Sequence, residues 1–142
     1  MFTDGNSMRF MAILNKKIQT GRLLNALGHL TAGLAGGSGL AGEMHFLQYQ
    51  DKDAGVHPNI SHFPFIVLKA DNSNQIRTAR NEALKRGIPF TDFTNTMTVG
   101  TSQEQLDKTH ETIEAELEYF GICMFGKTSV LKEFTGKFSL FG

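Results

Sequence analysis

The sequence predicts a three-layer α/β domain, a mixed and mostly parallel sheet between helices, and three observations carry that expectation. Apolar runs of strand length alternate with stretches of helical spacing, the pattern of strands joined by crossover helices. At 142 residues, with 40% hydrophobic and 20% charged side chains, the chain can bury one core and has the make-up of an ordinary globular protein. No internal repeat or interdomain linker interrupts the alternation, so residues 8–142 read as one domain behind a polar leader, residues 1–7.

Met8 to Leu14 is a short apolar run, fit for a strand buried on both faces and ended by Asn15, Lys16 and Lys17. Thr20 can cap a helix starting at Gly21, in which Leu23, Leu27, Leu30 and Leu34 share a core stripe. The opposite stripe, Arg22, Asn25, Ala26, His29 and Gly33, is small and polar enough for something to approach closely, and the helix is expected to dissolve into a mobile, glycine-rich GLAGGSGLAG. Met44 to Tyr49 suits a strand, DKDAGVHPNISH a polar loop, and FPFIVLKA a strand near the sheet centre.

Asn72 or Ser73 starts a helix that runs to Arg86 and stops at Gly87, with Ile76, Ala79, Ala83 and Leu84 inward and Arg77, Arg80, Lys85 and Arg86 outward. Ile88 to Phe93 is a shorter strand. Leu106, His110, Ile113, Leu117 and Phe120 suggest one long acidic helix from Ser102 to Phe120, after which GICMF is a strand and SVLKEFTGKFSLF a strand-like tail.

Fourteen basic and fourteen acidic residues leave no net charge, so no global field draws in nucleic acid and any RNA contact must be local. The single cysteine, Cys123, cannot form an internal disulfide and reads as a small buried hydrophobe in a reducing compartment. With neither a signal-like start nor a run of about 18 apolar residues, a cytoplasmic protein without membrane partners is expected.

Two nucleotide-binding patterns fail on context. Gly37, Gly39 and Gly42 spell the dinucleotide fingerprint but follow a helix and precede a strand, the reverse of what pyrophosphate binding needs. GICMFGKT, from Gly121 to Thr128, matches the phosphate-loop formula, yet its four middle residues read as a strand; nucleotide binding through Lys127 is the weakest of three functional readings. His57 and His62, even with Asp51 and Asp53, lack the spacing of a zinc site, while His45 and His110 read as hydrogen-bonded packing residues. No metal or cofactor is therefore expected. No G-x-S-x-G elbow occurs and Cys123 has no histidine partner in sequence, so covalent catalysis is disfavoured. What remains is polar residues at strand ends: Asn15, Lys16 and Lys17 after the first strand, Asp92, Thr94 and Thr96 after the fourth.

Three segments resemble the type II peptidyl-tRNA hydrolases: TGRLLNALGHLTAGL, TDFTNT and FTGKFSLF. FPFIVLKAD, the EALKRGIPFTDF junction and the acidic stretch resemble still more a bacterial family, domain of unknown function two thousand, that shares the hydrolase fold. The resemblance implies a mixed sheet of about four strands with helices on both faces. It places Arg22 at the hydrolases' lysine, His29 at their histidine, Asp92 and Thr96 at their aspartate and threonine. Ala26 stands where they keep glutamine and Asn15 where they keep an early aspartate.

Two functions follow. In the first, an ester or amide on a peptidyl-tRNA-like substrate is hydrolysed: Asp92 orients or deprotonates water, Arg22 holds a phosphate or oxyanion, and His29 and Thr96 position the substrate. Asn15, Lys16, Lys17 and Asn25 would bind substrate, the lysines touching a tRNA end. In the second, the same helix face is a non-enzymatic module for a small ligand or partner chain. An Arg22–Asp92 ion pair is the structural alternative to catalysis. The hydrolase likeness also implies a homodimer.

Overall fold

The computed structural model describes residues 5–142. The chain runs β1 (Met8–Asn15), α1 (Thr20–Gly37), α2 (Ala41–Met44), β2 (Phe46–Gln50), β3 (Val56–Ser61), β4 (Phe65–Ala70), α3 (Ser73–Arg86), β5 (Phe90–Thr94), α4 (Ser102–His110), β6 (Tyr119–Lys127), α5 (Thr128–Thr135) and β7 (Ser139–Leu140). Among the described residues there is a five-stranded sheet of order β5-β6-β1-β4-β7 and a separate β2-β3 hairpin.

The sheet is mixed but not mostly parallel, and it exceeds the expected four strands. Only β1 and β4 run parallel; β6 lies antiparallel to both β1 and β5, and β7 antiparallel to β4. β6 returns along β1 after the long excursion through β2 to α4, which turns GICMF into the middle of a nine-residue strand.

β1 is central, and its alternation feeds two cores. Phe10, Ala12 and Leu14 pack with Leu23, Ala26, Leu30 and Leu34 of α1, while Met11 and Ile13 pack with Ile76, Ala79 and Ala83 of α3 and Leu131 of α5. The layers are therefore α1, sheet, and α3 with α5. Each leucine fully buried in this way contributes roughly 1.5–3 kcal/mol relative to exposure.

The helix ends follow local chemistry. Asn72 caps α3 by accepting from Gln75 N at 3.0 Å, and Gly87 closes it at φ +67°. In α1 the helix begins at Thr20, preceded by Gln19 with no side-chain cap, and it runs on to Gly37 rather than dissolving at the glycines. Ala26, placed on the polar stripe by the sequence pattern, is fully buried, so that stripe reduces to Arg22, Asn25, His29 and Gly33.

Several expectations are corrected here. The helix from Ser102 ends at His110; Leu106 and Ile113 are exposed, so the three-four spacing had no core to face, and Tyr119 and Phe120 already belong to β6. The tail is mostly helix α5, which buries Leu131 and Thr135. Leu84 is exposed, and the polar loop contains β3. Of the leader, residues 1–4 lie outside the described residues; the Asn6 and Ser7 carbonyls accept hydrogen bonds from Thr128 Oγ1 and Thr128 N.

Candidate functional site

Two adjoining depressions lie between α1, β5 and α4. One, of about 370 Å³, is bordered by Arg22, Asn25, His29, Thr98, Gln105 and Phe120 among others; the second, of about 390 Å³, continues along β5 past Thr91, Asp92 and Phe93. They share His29, Phe93, Met97 and Gln105, so they form one continuous cleft.

Four side chains stack to form its wall. The Arg22 guanidinium lies 5.0 Å from the Phe120 ring centroid, Phe120 packs tilted against Phe93 at 5.8 Å, and Phe93 stacks on His29 at 5.9 Å and 16°. This follows from periodicity: residues 22, 25 and 29 rise along one side of α1, while Phe93 of β5 and Phe120 of β6 reach the same core from the sheet. At Gly33 the helix lies beside β5, where a Cβ would sit in ordinary contact with Thr91 Cγ2 at 3.5 Å, and Thr91 Oγ1 donates to the Leu30 carbonyl at 2.8 Å.

The other expected site residues are elsewhere or otherwise engaged. Asp92 borders the cleft, but its carboxylate accepts from Arg80 Nε at 2.8 Å on the α3 face, so Arg22 and Asp92 form no ion pair and do not face one another. Strand alternation explains this: Thr91 and Phe93 turn toward α1, and Asp92 between them turns away. Thr96 is buried, hydrogen-bonded to Thr94 Oγ1 and Thr109 Oγ1 at 2.7 Å each.

Asn15 is buried as well, donating through Nδ2 to the Tyr119 carbonyl and accepting from Lys17 N. Lys16 pairs with Asp71 at 2.7 Å, and Lys17 borders a separate depression with Asn15, Asn72 and Glu118. Of the site residues expected from the sequence, Arg22, Asn25 and His29 border one depression, alongside Phe93, Phe120 and Gln105, which were not among them. The aromatic pair looked like core, which it also is.

Across the sheet lies a second polar cluster that the sequence did not signal. Arg77 and Arg80 lie 5.2 and 5.8 Å from the ring centroid of Tyr119, whose hydroxyl donates to Glu114 at 2.8 Å. Burial, then the Glu114 hydrogen bond, pushes the phenol up to about 12, while hydrogen bonds from Arg77 and then Tyr119 hold the Glu114 carboxyl below its ordinary value.

The remaining motif residues lie outside the cleft. Gly121 to Lys127 is continuous strand, paired with β1 throughout and with β5 from Gly121 to Met124, leaving no loop to wrap a phosphate, and Thr128 bonds to Asn6 and Arg9; the nucleotide reading through Lys127 falls. Gly39 sits at φ +80° between α1 and α2, not between a strand and a helix. His57 pairs with Asp51, His110 is exposed, and His45 stacks on Phe63 with Nδ1 buried and unpartnered among the described residues. Cys123 is fully buried, and burial pushes its thiol up to about 12. Among the described residues, no three His, Cys, Asp or Glu side chains gather where they could hold a metal, and no helix is long and apolar enough to cross a membrane.

The family described as "Protein of unknown function (DUF2000)" matches residues 8–141. The chain belongs to this family. Its match spans the whole sheet, both cores and every residue of the cleft. The chain is also similar to a protein of unknown function from Agrobacterium tumefaciens whose structure is solved, at 18% identity, with 100% of each chain covered and a TM-score of 0.81. At that identity the likeness shows the fold alone. No curated protein matches the chain.

Proposed function

We propose that this DUF2000 domain is a binding module for a small organic anion, held in the cleft between α1, β5 and α4. The observation that carries this is the stack of Arg22, Phe120, Phe93 and His29. A guanidinium held 5.0 Å over an aromatic ring centroid still has N–H donors for a carboxylate or phosphate, and the rings beside it offer apolar cover. Among the described residues no carboxylate lies within ion-pair distance of Arg22. Asn25 and Gln105 add neutral donors and acceptors.

The test is a thermal-shift and NMR titration with benzoate and phenyl phosphate. Binding that weakens about tenfold or more in Arg22→Ala supports the reading, since a charge-assisted hydrogen bond contributes about 1.5–3 kcal/mol. Absence of binding, or binding indifferent to Arg22, ends it.

A second reading keeps the peptidyl-tRNA hydrolase fold and reaction that the sequence resembles. It is supported by Arg22 and His29 sharing one wall, and it is weakened because Asp92, the only carboxylate bordering the cleft among the described residues, is tied to Arg80. Turnover of peptidyl-tRNA that is lost in both Arg22→Ala and His29→Ala would restore it.

A further inference from the structure

An anion at Arg22 accounts for half of the cleft and leaves the other half without a role. That half is bordered by Thr91, Asp92 and Phe93, three consecutive residues of β5. Consecutive strand side chains point to opposite faces, and these do: Thr91 and Phe93 toward α1, Asp92 toward Arg80 of α3. All three can border one depression only along the outer margin of the strand, where the main chain itself is the wall.

β5 is an end strand of the sheet, paired with β6 alone among the described residues. The outward N–H and C=O groups of such a strand have no ladder partner, and end strands are usually guarded by lysine, proline or a projecting charge. Within FTDFT there is no lysine or proline, and the one charge is tied back to Arg80. Instead the margin lies between His29 and Leu30 of α1 and Ser102 and Gln105 of α4. Flanked on two sides, it admits one extended chain and obstructs the broad edge of a second sheet.

We infer that the cleft receives the carboxyl end of an extended peptide, its terminal carboxylate at Arg22 and its preceding residues paired along β5. The inference rests on the anion reading of Arg22. Main-chain groups in a groove recognise another main chain whatever its sequence, as in strand addition, and the continuity of the two depressions through His29 and Phe93 leads that chain to the guanidinium. At roughly 3.3 Å per residue, the margin from Thr91 to Phe93 together with the Arg22 half takes about three or four residues. The strand itself ends at Thr94, which closes the pairing surface on that side.

The experiment titrates the full chain, labelled for NMR, with four probes: random acetylated tetrapeptides with free carboxyl ends, the same pool amidated, the pool N-methylated at its inner peptide bonds, and benzoate. The free-carboxyl pool is expected to shift the amide signals of Thr91 to Phe93 and slow hydrogen exchange of those whose N–H faces away from β6, with amidation, Arg22→Ala or Arg22→Gln each weakening binding about tenfold or more and N-methylation abolishing it. Benzoate bound through Arg22 with no tighter binding of peptide overturns the inference while the anion site stands. If no probe binds, both fall. Peptide binding indifferent to N-methylation overturns the strand pairing, as does light scattering showing a dimer of the free chain in which the β5 amides are already protected.

Discussion

Arg80 Nε donates to the Asp92 carboxylate at 2.8 Å, across the sheet from Arg22. Both side chains are about a fifth to a quarter exposed, at 24% and 20%, so the pair is shielded enough for its loss to matter. Arg80→Ala should cost about 1–3 kcal/mol, the range for a hydrogen bond to a charged group. Arg22→Ala, which gives up an exposed cation–π contact, should cost about 0.5–1 kcal/mol. Urea denaturation of both variants measures the difference, and equal losses would contradict the assignment of Asp92 to the α3 face.

Thr96 is the middle of a hydroxyl chain that ties α4 to the end of β5. Valine keeps its shape and removes its oxygen, leaving Thr94 and Thr109 each short of a partner. Thr96→Val should cost about 1–2 kcal/mol and speed hydrogen exchange across Ser102–His110, a helix with no buried residue of its own. Unchanged exchange there would show that α4 is held by something else.

Gly121 owes its place to packing. A Cβ at this position would lie 2.6 Å from Leu14 Cδ2 and 3.0 Å from the Ile13 carbonyl oxygen, with Leu30 Cδ1 at 3.4 Å. The leucine can swing aside, but the carbonyl is fixed in β1. Gly121→Ala should therefore lose about 1–3 kcal/mol by overpacking, visible as a lower urea midpoint. A neutral outcome would mean that β1 and β6 have slack the geometry does not suggest.

The Tyr119–Glu114 pair should make stability depend on pH at both extremes. The folded phenol is raised to about 12 from 10.0, so its contribution is whole below 10 and is lost as pH rises through 12. The Glu114 carboxyl is lowered from 4.5, so its contribution is whole above that value and is lost as pH falls through the lowered one. Tyr119→Phe should flatten the alkaline fall in Tm while Arg77 preserves most of the acid one. A variant with the wild-type alkaline slope would count against this.

What the sequence made legible was local. The cap at Asn72, the stop at Gly87 and the leucines of α1 are each set within one or two helical turns, and all recur in the structure. Helical spacing also brought Arg22, Asn25 and His29 to one wall of the cleft. Pairings between distant segments were hidden: nothing near GICMF says that it runs against Met8–Asn15 rather than along it. The spacing from Leu106 to Phe120 misled because periodicity records which residues could share a face, not whether a core exists to meet it. The same limit placed Asp92 near Arg22, since the separation of a strand residue from a helix residue says nothing about which side of the sheet each occupies.

The central position of β1 also bears on how the chain is made. Asn15, at the end of that strand, bonds to Tyr119, 104 residues later, and five of the eight β1 residues, Phe10 to Leu14, are apolar and fully enclosed only once β6 is in place. A ribosome adding roughly 5–20 residues per second leaves this strand waiting about 5–20 s between its own emergence and that of its neighbour. During that interval one of the stickiest segments of the nascent chain has β4 alone to pair with. Synthesised before the other strands of this sheet, β1 is thus among the last to be sheltered, and interruption of translation before Tyr119 should yield a product that recruits chaperones instead of a smaller stable domain.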